Sequence, residues 1–460
     1  MKKGNDVGIM AKAGYCAIEV GNAFSWTMIS TYLSVFYTDV VGLAPAVVSI
    51  IFLIARIWDG INDPMMGIIA EKTNTRFGKY RPYLIFGAPL VAIFSILAFS
   101  KINASMPVMI IYAAVTYILC GMAYTAVCIT QGGLVNLMTR DLNTRVQLNS
   151  LRQAGNGITG LVISAISMPL ILYFGGGSTA SARGYLLTTI IFSIIGAACV
   201  VFGGITCKEN VKSVQGAKAP TLGEIAKKAF TNRDILLLVL VGIFMTGGIL
   251  GRFGIISYYF IYYLENPALM AAVMVPYNIC TIVAQTYIPF LSRKIGKKGT
   301  ALLGYAVQSL SLAIIFFAGK SNVPMIYVGF ILTGLGNVAP SILYSLTGDI
   351  CDKEELETGK RSDSVVYSLV SLGTKIGMAI GGALFVALLG TIGFVANETQ
   401  TADTLVKLNG LANLAPIVFY ALSAVSILLI RITDKQAKEN REILEKREKE
   451  REAAKIAEQA

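Results

Sequence analysis

Apolar stretches long enough to cross a bilayer follow one another along almost the whole of this chain, and that fixes its class of fold. A membrane-spanning helix needs ~20 mainly apolar residues. About twelve such stretches can be read, roughly at 14–38, 45–71, 82–100, 107–137, 150–174, 185–206, 234–263, 267–291, 299–318, 323–347, 364–395 and 411–432. Hydrocarbon offers no water to backbone N–H and C=O groups, so each span must bond internally, as a helix does. Composition agrees: only 14% of residues are charged, against about 25% in soluble domains. The chain therefore reads as an all-α polytopic membrane protein of about twelve transmembrane helices in two six-helix bundles. Its polar start, Met1 to Val7, runs directly into the first span, which is not the pattern of a cleavable signal peptide.

The formal charge of +12 invites a nucleic-acid reading, but its placement argues against one. Lysines and arginines gather in alternate loops: Lys72 to Arg81, Arg140 to Arg152, Lys208 to Arg233, Arg293 to Lys298, and Lys353 to Arg361. The intervening loops carry only scattered charges such as Asp39, Lys101, Arg183, Glu265 and Lys320. Cationic loops stay on the cytoplasmic side. Both termini are thus expected there, in a multi-pass protein of the plasma (inner) membrane whose surroundings are lipid and not nucleic acid. Seven cysteines lie mostly inside spans, with no CxxC and no histidine. A zinc site, a disulfide framework and a bound cofactor are therefore not expected.

The longest interior polar stretch, 207–233, divides the spans six and six. The expected organisation is an N-terminal bundle at 1–206, a cytoplasmic linker at 207–233, a C-terminal bundle at 234–432 and a charged tail at 433–460. Within the linker, Thr221 to Phe230 reads as a short amphipathic surface helix. The tail has mixed charges at helical spacing, as in a solvated helix. A weak repeat joins the halves. Gly78 after span two and Gly296 after span eight both stand among cations in a tight loop, the internal symmetry expected of transporters.

Charges inside the spans carry the functional signal. In the second span Arg56, Asp59, Asn62 and Asp63 fall at i, i+3, i+6 and i+7, one polar stripe along a helix. A carboxylate at a helix centre costs roughly 2.5–3.5 kcal/mol on insertion scales, so such a stripe must face protein or a water-filled cavity. Two acids and an amide supply the hard oxygen ligands of a small cation. The same pair suits a proton equally, since burial beside a like charge favours one protonated carboxyl. A salt bridge from Arg56 to Asp59 that only ties helices together is the alternative, and it accounts for one acid of the two. Span four contributes Tyr124, Thr125, Cys128 and Gln131, with Gly132 and Gly133 allowing close approach. Arg152, Arg252 and Lys375 each interrupt or open a span, and the last two lie too deep to reach the interface easily. On the cytoplasmic side Asp349 and Asp352 are placed to pair with Arg145 or Arg293, as a gate of ion pairs between the halves.

Taken together, Tyr37-Thr-Asp39-Val-Val-Gly, Arg56-Ile-Trp-Asp59-Gly-Ile-Asn62-Asp63-Pro, Arg76-Phe-Gly-Lys79, Asn149-Ser-Leu-Arg152 and Asp349-Ile-Cys-Asp352 resemble the glycoside–pentoside–hexuronide:cation symporters, a branch of the major facilitator superfamily. The likeness covers residues 12–430 and implies a major facilitator fold with alternating access. It implies that Asp59, Asn62, Asp63 and Thr125 bind the coupling cation, which is Na+, H+ or Li+. It implies too that Tyr124, Arg152 and Lys375 border a sugar, and that Arg252 matches an arginine common in span seven. The chain departs from the family's sugar-gripping positions, with Ala23 in span one (Glu19 stands one turn earlier) and Cys128 and Gly132 in span four. The function expected is cation-coupled symport of a sugar or glycoside, including hexuronides and oligosaccharides. Glu19, Tyr124, Cys128, Gln131, Arg152, Arg252 and Lys375 are the expected substrate contacts, and Asp59 and Asp63 the metal ligands if the ion is Na+. The rivals are a facilitator carrying a non-sugar amphiphile or organic acid, and a membrane-embedded enzyme, which would need a nucleophile or metal cluster the chain lacks.

Overall fold

The computed structural model describes residues 7–139, 142–209, 232–358, 363–440, 442–444 and 446. The helix expected at Thr221 to Phe230, and most of the tail, lie outside them. The helices are α1 (Ile9–Val35), α2 (Pro45–Lys72), α3 (Arg81–Ala98), α4 (Met106–Met138), α5 (Leu142–Phe174), α6 (Ala182–Thr206), α7 (Arg233–Tyr258), α8 (Pro267–Ala318), α9 (Val323–Leu335), α10 (Ala339–Thr358), α11 (Asp363–Thr391), α12 (Ala402–Asn413) and α13 (Ala415–Leu429). Among the described residues the only β pairing is one bridge, Thr75 to Gly78.

Ten helical stretches are long and apolar enough to cross a membrane. Two further facts bring the count to the expected twelve. The 52 residues of α8 are two spans joined at Gly296, whose φ of 78° breaks the helix. And α1 is polar because its buried positions include Glu19, Asn22, Ser25 and Thr31, which lowers its hydropathy without shortening it.

Compactness groups the chain into two units. One comprises Met1–Gly216, Leu250–Ile279 and Ala379–Ala412, the other Ala217–Ile249, Cys280–Met378 and Asn413–Ala460. In the first unit α1 lies against α5 and α6, α2 against α4, and α3 against α4 and α6. Small residues allow this, as membrane helices lacking a hydrophobic drive require. A side chain at Gly21 or Gly203 would press into the backbone of the facing helix.

The two sequence halves share a construction. Both α1 and α7 end in a π-helical turn, Phe36–Val41 and Tyr259–Tyr263. Both glycine loops are anchored alike. Gly78, at φ 108°, is followed by three backbone N–H groups, of Lys79, Tyr80 and Arg81, that donate to the Glu209 carboxylate at 2.7, 2.7 and 3.2 Å. In the other half the Lys297 N–H donates to Asp434 at 2.9 Å. Arg81 caps the carbonyls of Gly204 and Ile205 at the end of α6, and Lys298 reaches the carbonyl of Ile430 just past α13. Cations on exposed helix-end carbonyls satisfy both the orphan acceptors and the helix dipole.

Asp39, in the turn beyond the first span, joins three segments of the first unit. Its carboxylate accepts from Tyr262 Oη at 2.5 Å and from Thr38 Oγ1 at 2.7 Å. The Asn397 amide donates to its carbonyl at 2.6 Å, and the Asn397 backbone N–H to Tyr262 Oη at 3.0 Å. Ser34 and Ser257 add bonds to the backbone of Gly254 and Thr31. Burial pushes the Asp39 carboxyl up to about 6, with the Tyr262 and Thr38 donors pulling partly back.

Two predictions follow from these loops and this turn. Gly78→Ala and Gly296→Ala each force a left-handed residue against a carboxylate and should cost about 1–3 kcal/mol of stability. Gly410→Ala, whose new methyl meets nothing within 4 Å, should not lower the melting temperature. Because the folded state binds the Asp39 proton more tightly than the unfolded chain, stability should fall as pH rises from about 4 to about 6 and then level off. Thermal melts of Asp39→Asn should lose that step.

Candidate functional site

The polar stripe read on span two is real in space and is shared between α2 and α4. Arg56 Nη1 donates to Asp59 Oδ2 at 2.8 Å and Nη2 to Tyr117 Oη at 2.8 Å. One helical turn further, Thr125 Oγ1 donates to Asp63 Oδ1 at 3.0 Å. Helical spacing puts Asp59 and Asp63 on one face, and α4 answers with Tyr117, Gly121 and Thr125 at its own four-residue interval. Gly121 is small for a reason: a Cβ there would stand 3.1 Å from Asp59 Oδ1. Asn62 is buried, and its side-chain nitrogen has no hydrogen-bond partner. Turning that amide over would present an oxygen at the same place, which is what a cation requires. The donor set (two carboxylates, an amide and a hydroxyl) therefore fits a small monovalent ion. The salt bridge weighed as an alternative exists, and it engages Asp59 alone.

Aromatic rings close this site on one side. Trp26 of α1 stacks on Tyr124 with centroids 4.9 Å apart and planes at 20°. The Arg56 guanidinium lies 4.9 Å from the Trp26 ring centroid and 6.0 Å from that of Tyr117. Trp26, Arg56, Asp59, Tyr117, Gly121 and Tyr124 line a common recess.

A second cluster joins α1, α4 and α5. Glu19, 9% exposed, is the hub. Its carboxylate accepts from Arg152 Nε at 2.5 Å, Gln131 Nε2 at 3.0 Å and Asn156 Nδ2 at 2.9 Å. Asn22 Nδ2 in turn donates to Gln131 Oε1 at 2.7 Å. A buried acid with three donors, one of them charged, is satisfied in the way low dielectric demands. Beside it Cys128 is half-buried, and a side chain at Gly132 would meet nothing within 4 Å, whereas Gly133 lies against the Tyr80 ring.

Of the expected site residues, then, the structure gathers Asp59, Asn62, Asp63, Thr125 and Tyr124 around α2 and α4, and Glu19, Gln131 and Arg152 around α1. Arg252 is buried on α7 in the same unit. Lys375 is on α11 in the other unit, with an exposed side chain. Asp349, 2% exposed, accepts from Lys297 Nζ at 2.5 Å, a partner outside the expected gate, while Arg293 is exposed. The side chain of Arg145 lies outside the described residues. Sequence reasoning missed Asn22, Trp26, Tyr117, Gly121 and Asn156. Four had a signal in spacing: Asn22 and Trp26 follow Glu19 by three and seven residues, Asn156 follows Arg152 by four, and Gly121 precedes Thr125 by four.

The profile of the family described as MFS/sugar transport protein matches residues 14–434. An isoprimeverose transporter of Lactiplantibacillus pentosus is 33% identical over 89% of this chain and 85% of its own length. An uncharacterized symporter of Bacillus subtilis (strain 168), YnaJ, is 31% identical over 96% of each chain. Among solved structures, a bacterial homolog of the human lysosomal transporter Spinster, in an inward-facing and occupied conformation, superposes with a TM-score of 0.68 at 11% identity, covering 91% of this chain and 96% of that one.

The Glu19–Arg152 contact is testable as a coupling. Arg152 is 36% exposed in its side chain, so solvent screens part of the attraction. A double-mutant cycle of Glu19→Gln and Arg152→Met, read by thermal melting, should give a coupling of about 1–2 kcal/mol.

Proposed function

The chain belongs to the family of MFS/sugar transport proteins, and we propose that within it this protein is a symporter driven by a monovalent cation bound between α2 and α4. It is a multi-pass membrane transporter of the all-α major facilitator fold, and not an enzyme. Asp59 and Asp63 are the ion's carboxylate ligands, with Asn62 and Thr125 completing the shell. The observation that carries this is the acid pair on α2 whose members have separate partners, Arg56 for one and Thr125 for the other, beside a buried amide with an unused polar atom.

The sugar lies against the Glu19 cluster, bordered by Tyr124, Cys128, Gln131 and Arg152. Amide and carboxylate groups offer both donors and acceptors to hydroxyls, and Gly132 leaves room for a ring. Since Arg152 is already matched by Glu19, the cluster brings no excess positive charge, which supports a neutral sugar or glycoside over a hexuronide. The relative named for isoprimeverose, a neutral disaccharide, points the same way. An acidic substrate would draw on Arg252, which is buried in the unit that holds the Glu19 cluster. The halves 1–206 and 234–432 rock about the midplane site, joined by the linker 207–233, with both termini and the tail cytoplasmic. We propose that Asp349 and Asp352 supply the acids of a cytoplasmic gate. The proposed location is the plasma membrane, the inner one where there are two.

Uptake of radiolabelled isoprimeverose and of a glucuronic acid glycoside into membrane vesicles, under imposed Na+, Li+ or H+ gradients, tests the reading. Accumulation of the neutral sugar under one of these gradients is expected. Asp63→Asn should abolish accumulation against a gradient, by more than about tenfold, while the protein melts as the parent does. Unimpaired accumulation by Asp63→Asn would remove that residue from the ion site.

A further inference from the structure

We infer that Arg56 is the resident counter-charge of Asp59, which an alkali cation must displace in order to bind, so that this arginine sets the carrier's ion affinity. The inference rests on the ion site proposed above and goes further, assigning a competitor inside it.

The geometry has three parts. Arg56 precedes Asp59 by one helical turn, and its guanidinium is bonded to the carboxylate at 2.8 Å. A cation entering the site meets a carboxylate that is already neutralised, and the two positive charges cannot share it without repulsion. The guanidinium also has somewhere to remain once it lets go. Its other terminal nitrogen donates to Tyr117 Oη at 2.8 Å, and the Trp26 ring lies 4.9 Å from its central carbon. Neither contact uses Asp59, so the arginine stays partnered after displacement, as a charge within the membrane must. Thirdly, Gly121 leaves no side chain wedged against the carboxylate, which frees Asp59 to exchange one positive partner for another.

Sequence supports the pairing of these groups as a set. At the corresponding distances before Gly296 in the other half stand Met274, Tyr277, Cys280 and Thr281. Where the acids are absent, the arginine is absent too. The same contacts carry news of the ion outward: Trp26 stacks on Tyr124, one of the residues assigned to the sugar, so relief of the Arg56–Asp59 bond is felt beneath the substrate.

The chain has two tryptophans, Trp26 and Trp58. In the full-length protein carrying Trp58→Phe, Trp26 emission therefore reports on the ring that touches Arg56. Titration with NaCl or LiCl, at ionic strength held constant with choline chloride, should give a saturable change that Asp59→Asn abolishes. Adding Arg56→Gln should lower the half-saturating ion concentration at least about tenfold, a change of ~1.4 kcal/mol. Arg56→Lys keeps the charge and should stay within about threefold of the parent. Where Arg56→Gln does not fold, Tyr117→Phe serves instead: it removes the alternative anchor and should raise the half-saturating concentration. An unchanged midpoint in Arg56→Gln (or, in its stead, in Tyr117→Phe), or no response to either ion, overturns the inference. Failure of the unaltered protein to accumulate sugar would instead overturn the transport reading, and leaves this titration able to decide on Arg56.

Discussion

An ionised carboxylate inside hydrocarbon has to find its partners within the protein, and the packing of the first compact unit follows from that requirement. Within its spans Glu19, Asp59 and Asp63 are buried or half-buried, and each has a named partner: Asp59 has Arg56, Asp63 has Thr125, and Glu19 has Arg152, Gln131 and Asn156. In every case but Asp59 and its own-turn arginine, a partner comes from another helix. The helices are thus held at distances a side-chain hydrogen bond can bridge, and glycines at the contacts make those distances reachable. An apolar bundle of the same length would have no such fixed register, because lipid tails and leucines are equivalent surroundings. The polar groups that mark the site also specify how the spans meet around it.

Much of this was legible in the sequence, for a physical reason. Twelve apolar stretches, cationic alternate loops and a polar stripe of period 3.6 are local patterns, and local patterns survive without knowledge of contacts. The count of spans and the role of Gly296 as a break within α8 therefore agree with the reading of the chain. What stayed hidden depended on residues far apart. Nothing near Gly78 announces that Glu209, 130 residues from Lys79, will collect its loop's N–H groups. The π-helical turns are equally silent, since one inserted residue in a helical ladder leaves the apolar pattern almost unchanged. Trp26 was overlooked for a different reason. A tryptophan in a span reads as bulk apolar surface even at helical spacing from Glu19, and its place between Tyr124 and the Arg56 guanidinium gives it a chemical part. The cytoplasmic acids illustrate the limit from the other side: Asp349 is legible as an acid in a cationic region, but its bond to Lys297, 52 residues away, is not.

The duplication separates scaffold from function. The π turns, the left-handed glycines and the carboxylates that gather backbone N–H groups occur in both halves, at matching points of α1 and α7 and of the loops at Gly78 and Gly296. These devices fix helix ends and loop conformations and involve no ligand. The acid stripe and its arginine occur once. At the matching positions of α8 the residues are neutral, so that half lacks the acid pair and its arginine. A repeated fold with the charged stripe in one half is what selection leaves when the structural device is needed twice and the chemistry once. The packing tolerates exchange at Ala23, Cys128 and Gly132 because none of these carries a buried charge. At Glu19 the same freedom is missing, since losing that acid removes the carboxylate bonded to Arg152.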